Sequence, residues 1–255
     1  MQVKECIAAV TGGASGLGEA SVRSLCALGA RVAIFDVAIE RGEKLAAELG
    51  GSCVFVPADV TSDESIRAAM EKTVAAFGTI HVAINCAGVA DPGKVLSKKG
   101  PLPLPSFNRT IQINLVGTFN IIRLAVEQMV KNAPNGEGEK GVIINTASAA
   151  AFDGQIGQPA YSASKAGVVG MTLPVARECA DYGIRVMTIA PGLFETPMMA
   201  GLPENVRVQL AQSAPFPKRL GRPAEFAALV RHIIENPLLN GECIRLDGAV
   251  RMTAR

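Results

Sequence analysis

The sequence predicts an α/β fold, a single-domain Rossmann-type doubly wound parallel sheet with helices on both faces. Three observations predict it. Short β-branched runs alternate with longer helical patterns along the chain, a glycine-rich turn follows the first run, and an acid stands about twenty residues beyond that turn. Parallel strands need crossover connections, which are nearly always right-handed, so this succession covers both faces of one sheet.

The strand runs are "CIAAV" (6–10), "RVAIFD" (31–36), "CVFVPADV" (53–60), "IHVAIN" (80–85), "GVIINTAS" (141–148), "IRVMTIAP" (184–191) and "ECIRL" (242–246). Helical patterns fill 16–28, 39–49, 62–77, 105–131, 160–181 and 223–235. Two segments interrupt the rhythm. "ADPGKVLSKKGPLPLP", in a loop of about 89–104, and "PGLFETPMMAGLP", in a loop of about 191–213, each follow the carboxyl end of a strand. Open α/β sheets bind ligands at that edge, so both loops are expected to wall a substrate site. "PNGEGEKG" (134–141) precedes a strand instead and reads as a solvated turn on the opposite rim. No Ser/Gly/Pro-rich linker divides the 255 residues, so one domain is expected over 1–255.

Composition narrows the function. A net charge of +2 with 19% charged residues gives no nucleic-acid footprint and no attraction to a membrane surface, which leaves small-molecule chemistry. Six scattered cysteines show no metal-ligand spacing and sit mostly in apolar runs, as buried thiols do in a reducing compartment. No metal is expected. The strand-like start leaves no room for a signal peptide, and no run approaches ~18 apolar residues. The expectation is a soluble protein of the cytoplasm, or of the mitochondrial matrix in a eukaryote.

The first strand runs into "TGGASGLGEA", where Gly12, Gly16 and Gly18 permit a tight turn and a close approach of backbone to a pyrophosphate at a helix start. Asp36, ending the second strand, is placed to accept hydrogen bonds from both ribose hydroxyls of an adenosine. With no Arg or Lys at 12–18 or 37–39 to meet a 2′-phosphate, NAD is expected rather than NADP. Asp59 and Val60 close the third run, and Asn85, Cys86, Ala87 and Gly88 the fourth; jointly they line one edge of the sheet, where they are expected to contact the cofactor. In "YSASK", Tyr161 and Lys165 are four residues apart, hence on one face of a helix.

Over essentially its whole length the chain resembles the short-chain dehydrogenase/reductase family, through "TGGASGLG", "NCAG", "QINLVGTFN", "NTAS", "YSASK" and the "PG" after the sixth strand. Cys86 departs from the family's usual Asn, so only its backbone is expected to matter. Within the family, "GQIGQPAYSASKAG", "FPKRLGRPAEFA" and "NGECIRLDGAVRM" resemble a group that oxidises 3-hydroxyacyl-CoA thioesters and hydroxysteroids. The resemblance implies NAD-dependent oxidation of a 3-hydroxyacyl-CoA to its 3-keto form; the rival roles are a dehydrogenase of hydroxysteroids or other secondary alcohols, an NADPH-dependent 3-oxoacyl-carrier-protein reductase, which Asp36 opposes, and a non-catalytic RNA-processing scaffold, which the complete catalytic set opposes.

The resemblance implies that Tyr161 is the acid/base, that Ser148 holds the substrate oxygen, and that Asn114 holds a water connecting Lys165 to solvent. A phenol's pKa near ~10 is too high for this work. At ~4 Å and an effective dielectric of ~20, Lys165 favours the phenolate by about 4 kcal/mol, roughly three pKa units, with desolvation opposing part of the shift and a cationic nicotinamide adding to it; Lys165 is also expected to hydrogen-bond the nicotinamide ribose. Further implied cofactor contacts are Ser15 and Leu17 in the glycine turn, Pro191 and Gly192 after the sixth strand, and the backbones of Phe194 and Thr196. Gln155 joins Ser148 and Tyr161 on the substrate. Leu193, Met198, Met199 and Leu202 read either as an apolar lid or as ordinary packing, and Lys94, Lys98 and Lys99 either as contacts to CoA phosphates or as solvated loop residues. Relatives are usually homotetramers, so that assembly is expected.

Overall fold

The structure is a computed structural model and describes residues 1–201 and 203–254. The chain opens as β1 (Ile7–Thr11), α1 (Gly16–Ala27), β2 (Arg31–Asp36), α2 (Ile39–Leu49), β3 (Cys53–Pro57), α3 (Asp63–Phe77) and β4 (Val82–Asn85). A small hairpin, β5 (Leu96–Ser97) and β6 (Gly100–Pro101), precedes α4 (Leu104–Ile111) and α5 (Gly117–Met129). Then come β7 (Gly141–Thr146), α6 (Pro159–Ala180), β8 (Ile184–Pro191), α7 (Pro197–Ala200), α8 (Glu204–Gln212), α9 (Pro223–Glu235) and β9 (Cys243–Leu246).

Seven strands form one parallel sheet in the order β3-β2-β1-β4-β7-β8-β9. The order reverses between β1 and β4, which opens a crevice at their carboxyl ends. Strand periodicity sends alternate side chains to opposite faces. On β2, Val32 and Ile34 join one core with Phe226, Val230 and Ile233 of α9, while Ala33 and Phe35 join the other with Ile66 and Met70 of α3 and Ile121 of α5. Both faces are therefore dry, as the unbroken apolar runs foretold.

Several boundaries differ from the sequence reading. The third strand stops at Pro57, paired with Asp36, because β2 ends there and leaves nothing further to pair with. The fifth stops at Thr146, beyond which Ser148 caps a short 3-10 turn. The single helix expected over 105–131 is α4 and α5 joined by a π-helical segment, Gln112–Val116. The expected loop of 191–213 contains α7 and α8. The 134–141 turn is not simply solvated. Glu139 is buried, with Arg185 Nε at 2.8 Å and the Met1 nitrogen at 3.0 Å. Arg185 also donates to the Ile233, Ile234 and Leu239 carbonyls, so this ion pair closes the end of α9.

All six cysteines are free. Among the described residues no group of His, Cys, Asp and Glu could hold a metal ion, and no helix is long and apolar enough to cross a membrane.

Candidate active site

The carboxyl ends of β1, β2, β3, β4, β7 and β8 surround a cleft of about 610 Å³. Its floor at one end is the glycine turn. An added Cβ on Gly18 would lie 2.2 Å from the Gly12 carbonyl oxygen, and one on Gly12 would lie 2.8 Å from the Ala87 nitrogen. Gly16 adopts a φ of +55°, which favours glycine. These residues leave no room for side chains between strand end and helix start. Ser15 precedes α1 without capping it through its side chain, so the first N–H groups of α1 face the cleft as an anion site.

Asp36 stands at the next strand end, its Oδ2 accepting from the Ala14 nitrogen at 3.0 Å and its Oδ1 from the Ala38 nitrogen at 2.9 Å. Each oxygen retains acceptor capacity toward the cleft, which Asp36 lines. Asp59 and Val60 line the same end; Asp59 Oδ1 holds the Thr61 nitrogen and hydroxyl, and the Val60 carbonyl accepts from Asn120 Nδ2. A glycine cradle, an open helix start and an acid one strand away suit a dinucleotide's pyrophosphate and ribose.

Deeper in the cleft, Ser148, Tyr161 and Lys165 meet. Ser148 Oγ accepts from the Ala150 nitrogen at 3.1 Å, and its hydroxyl lines the cleft together with the Tyr161 phenol. Burial raises the Tyr161 phenol above its ordinary value, and the Ser148 hydroxyl opposes this in part. Lys165 donates to the Thr146 carbonyl at 2.8 Å, and its Nζ lies 5.8 Å from the Tyr161 ring centroid. Burial lowers the Lys165 ammonium to about 8. The expected depression of Tyr161 by Lys165 is thus corrected: within the protein's own groups desolvation dominates. Burial also pushes the Cys86 thiol up to about 11. Cys86 stays a thiol, accepting from Thr146 Oγ1 at 3.5 Å.

Ala87 and Gly88 line the cleft beside Cys86, as do Pro191, Gly192, Phe194 and Thr196 on the far wall. Thr196 caps α7, and an added Cβ on Gly16 would lie 3.6 Å from it, so α7 starts over the glycine turn. Leu193 and Met199 also line the cleft, whereas Leu202 and the Met198 side chain lie outside what the structure describes.

Three residues expected at the site, Asn114, Asn85 and Gln155, do not line the cleft. Asn114, in the π segment, lies behind the wall: its Oδ1 accepts from the Val89 nitrogen at 2.8 Å, and its Nδ2 donates to the Val89 carbonyl at 2.9 Å and to Ser164 Oγ at 3.1 Å. Its amide, spent on the Val89 backbone and on Ser164 Oγ, fixes the chain after β4. Asn85 is buried inside the sheet, its Nδ2 donating to Asn145 Oδ1 at 2.9 Å. Gln155 Nε2 turns to the Thr253 carbonyl at 3.2 Å. Lys98 and Lys99 are exposed at the β5–β6 hairpin, and Lys94 lines a neighbouring groove. Sequence reasoning missed Gln158, Arg109 and Met252, which all line the cleft. Gln158 had a local signal, three residues before Tyr161. Met252 had none, because only the fold brings the segment after β9 back over the site.

A serine–tyrosine hydroxyl pair beside a buried ammonium, next to a dinucleotide cradle at a sheet's switch point, defines the class: a dinucleotide-dependent oxidoreductase. Comparison with known proteins then places the chain within that class. Residues 6–207 match the family described as short chain dehydrogenase, and the chain belongs to it. It is 56% identical over 252 residues to a Drosophila melanogaster protein named 3-hydroxyacyl-CoA dehydrogenase type-2, covering 98% of this chain and 99% of that one. The crystal structure of 3-hydroxyacyl-CoA dehydrogenase type-2 from Mycobacterium avium superposes with a TM-score of 0.94 at 43% identity, covering 98% of each chain. A 3-ketoacyl-(acyl-carrier-protein) reductase from Brucella melitensis, solved in complex with NADH, superposes with a TM-score of 0.87 at 25% identity, covering 98% of this chain and all of that one. The chain is a short-chain dehydrogenase that uses a nicotinamide cofactor.

Proposed function

We propose that this enzyme oxidises the 3-hydroxyl of 3-hydroxyacyl-CoA thioesters to the 3-keto form with NAD, one domain over 1–255 carrying both sites and the loops of 89–104 and 191–213 walling the substrate. One observation carries the reading. The Ser148–Tyr161 hydroxyl pair and the buried Lys165 share a cleft with Asp36, in a chain 56% identical to a protein named for that reaction. When bound, the oxidised cofactor supplies the hydride acceptor and a positive charge beside the phenol.

The protein's residues then divide the remaining work. Ser148 Oγ would hold the substrate oxygen, and Tyr161 Oη, in its phenolate form, would take the hydroxyl proton as the hydrogen on the same carbon departs as hydride. Lys165, still an ammonium at neutral pH with a pKa of about 8, opposes the desolvation of the phenolate. Asn114 acts one layer back by pinning Val89, and so the chain beside Gly88. Asp36 accepts the adenosine ribose hydroxyls and repels a 2′-phosphate, which favours NAD over NADP. Cytoplasm or mitochondrial matrix, both reducing, suits six free thiols.

The test is a substrate panel on purified protein, run with NAD and with NADP and read by the absorbance of reduced nicotinamide. The highest kcat/KM is expected for 3-hydroxybutyryl-CoA with NAD. Faster oxidation of hydroxysteroids, with no turnover of any CoA thioester, overturns the thioester reading.

A further inference from the structure

Beside the cleft runs a second groove of about 470 Å³, walled by Lys94, Leu96, Ile156, Gln158, Pro159 and Ser162. Gln158 lines both spaces and forms their junction. Two polar atoms in this groove are buried without a hydrogen-bond partner, Gln158 Oε1 and Ser162 Oγ. Such atoms cost free energy unless something pairs with them, so they mark where a polar ligand is expected. The rim is apolar: Val95, Leu96 and Ile156 are 72%, 71% and 53% exposed, an unusual run of bare hydrophobic surface. A ligand matching both features alternates methylene stretches with amide groups.

Gln158, Tyr161 and Ser162 stand at i, i+3 and i+4 where α6 begins, so one helix face leads from the phenol into the groove. In a coenzyme A thioester, six bonds separate the 3-carbon from the first amide nitrogen of the carrier arm, an extended reach of about 7 Å. Gln158 to Tyr161 spans less than one helical turn, a rise of about 4.5 Å. A 3-hydroxyl at Tyr161 therefore sets the first amide beside Gln158.

We propose that this groove receives the amide-bearing carrier arm of the thioester substrate, with Gln158 Oε1 accepting an amide hydrogen and the Ser162 hydroxyl donating to an amide carbonyl. The proposal rests on the thioester reading above and adds how the substrate's non-reacting part is held.

The experiment compares two thioesters of 3-hydroxybutyrate, one of N-acetylcysteamine, which keeps the first amide, and one of ethanethiol, which lacks it. Unmutated enzyme is expected to favour the amide-bearing thioester by about tenfold in kcat/KM, from one regained buried hydrogen bond. Gln158→Met, which keeps length and bulk, is expected to remove most of that preference, and Ser162→Ala about a threefold part of it. The loss should fall on KM of the amide-bearing thioester. Circular dichroism checks that both variants fold. Equal handling of the two thioesters by unmutated enzyme overturns the groove and leaves the dehydrogenase reading intact, as does an equal loss on both in the variants. Inactivity toward every thioester, while simple secondary alcohols react, overturns that reading and the groove with it.

Discussion

Lys165 is a cation held inside the protein at a measurable cost. The lowering from 10.5 to about 8 corresponds to roughly 3 kcal/mol, and at 5% exposure solvent offers little relief. The folded state binds fewer protons than the unfolded one between pH 8 and 10.5, so stability rises with pH across that window; below pH 8 the penalty is fully present. Lys165→Met should therefore melt higher than the unmutated protein at pH 7, by about 5 °C, with the gain shrinking at pH 9.5. An unchanged or lower melting temperature at pH 7 would show that the bond to Thr146 outweighs the desolvation. Burial raises Tyr161 as well, so the oxidation rate should climb with pH beyond neutrality, and Tyr161→Phe should lower kcat at least a thousandfold while NAD still binds. Near-normal turnover by that variant sinks the assignment. Asp36→Ala should narrow the NAD-over-NADP ratio about tenfold, measured as kcat/KM for each cofactor.

Two elements depend on polar ties that a helix or strand pattern does not announce. The π segment turns Asn114 inward so that its amide pairs with both backbone groups of Val89, much as a neighbouring strand would. Asn114→Ala should leave those groups unpaired, speed hydrogen exchange at the Val89 amide and lower kcat, whereas Asn114→Asp should keep the bond to the Val89 nitrogen. Exchange at Val89 identical to that of the unmutated protein would refute this. At the opposite rim, Arg185 joins β8, the 134–141 turn and the end of α9 through Glu139 and three carbonyls. Arg185→Met leaves a buried carboxylate short of its partner and should cost about 3–5 kcal/mol in denaturant unfolding.

At the scale of the whole molecule, the chain leaves apolar side chains bare where helices face outward. Val116 beside α5, Phe119 on α5 and Leu173 on α6 are 41%, 48% and 44% exposed. Such surfaces on long helices suit contact with further copies, and a homotetramer is expected. Light scattering at micromolar concentration checks it, and a monomer contradicts it. Phe119→Glu should shift the assembly toward smaller species without altering the fold.

The architecture was legible because its signals are local. Apolar runs of strand length, glycines where a Cβ meets backbone, an acid at a strand end and a tyrosine four residues from a lysine each state their requirement within a short stretch of sequence. Distance in sequence concealed the rest. Asn114 and Val89 are 25 residues apart, Gln155 and Thr253 are 98, and no local pattern shows which backbone groups their amides would satisfy. The direction of the Tyr161 shift depends on how much water the surrounding elements exclude, which a pairwise charge estimate from spacing cannot contain. Residue chemistry was written in the sequence; burial, and with it the balance between desolvation and charge, was decided only when the sheet, α6 and the returning segment at Met252 closed around the cleft.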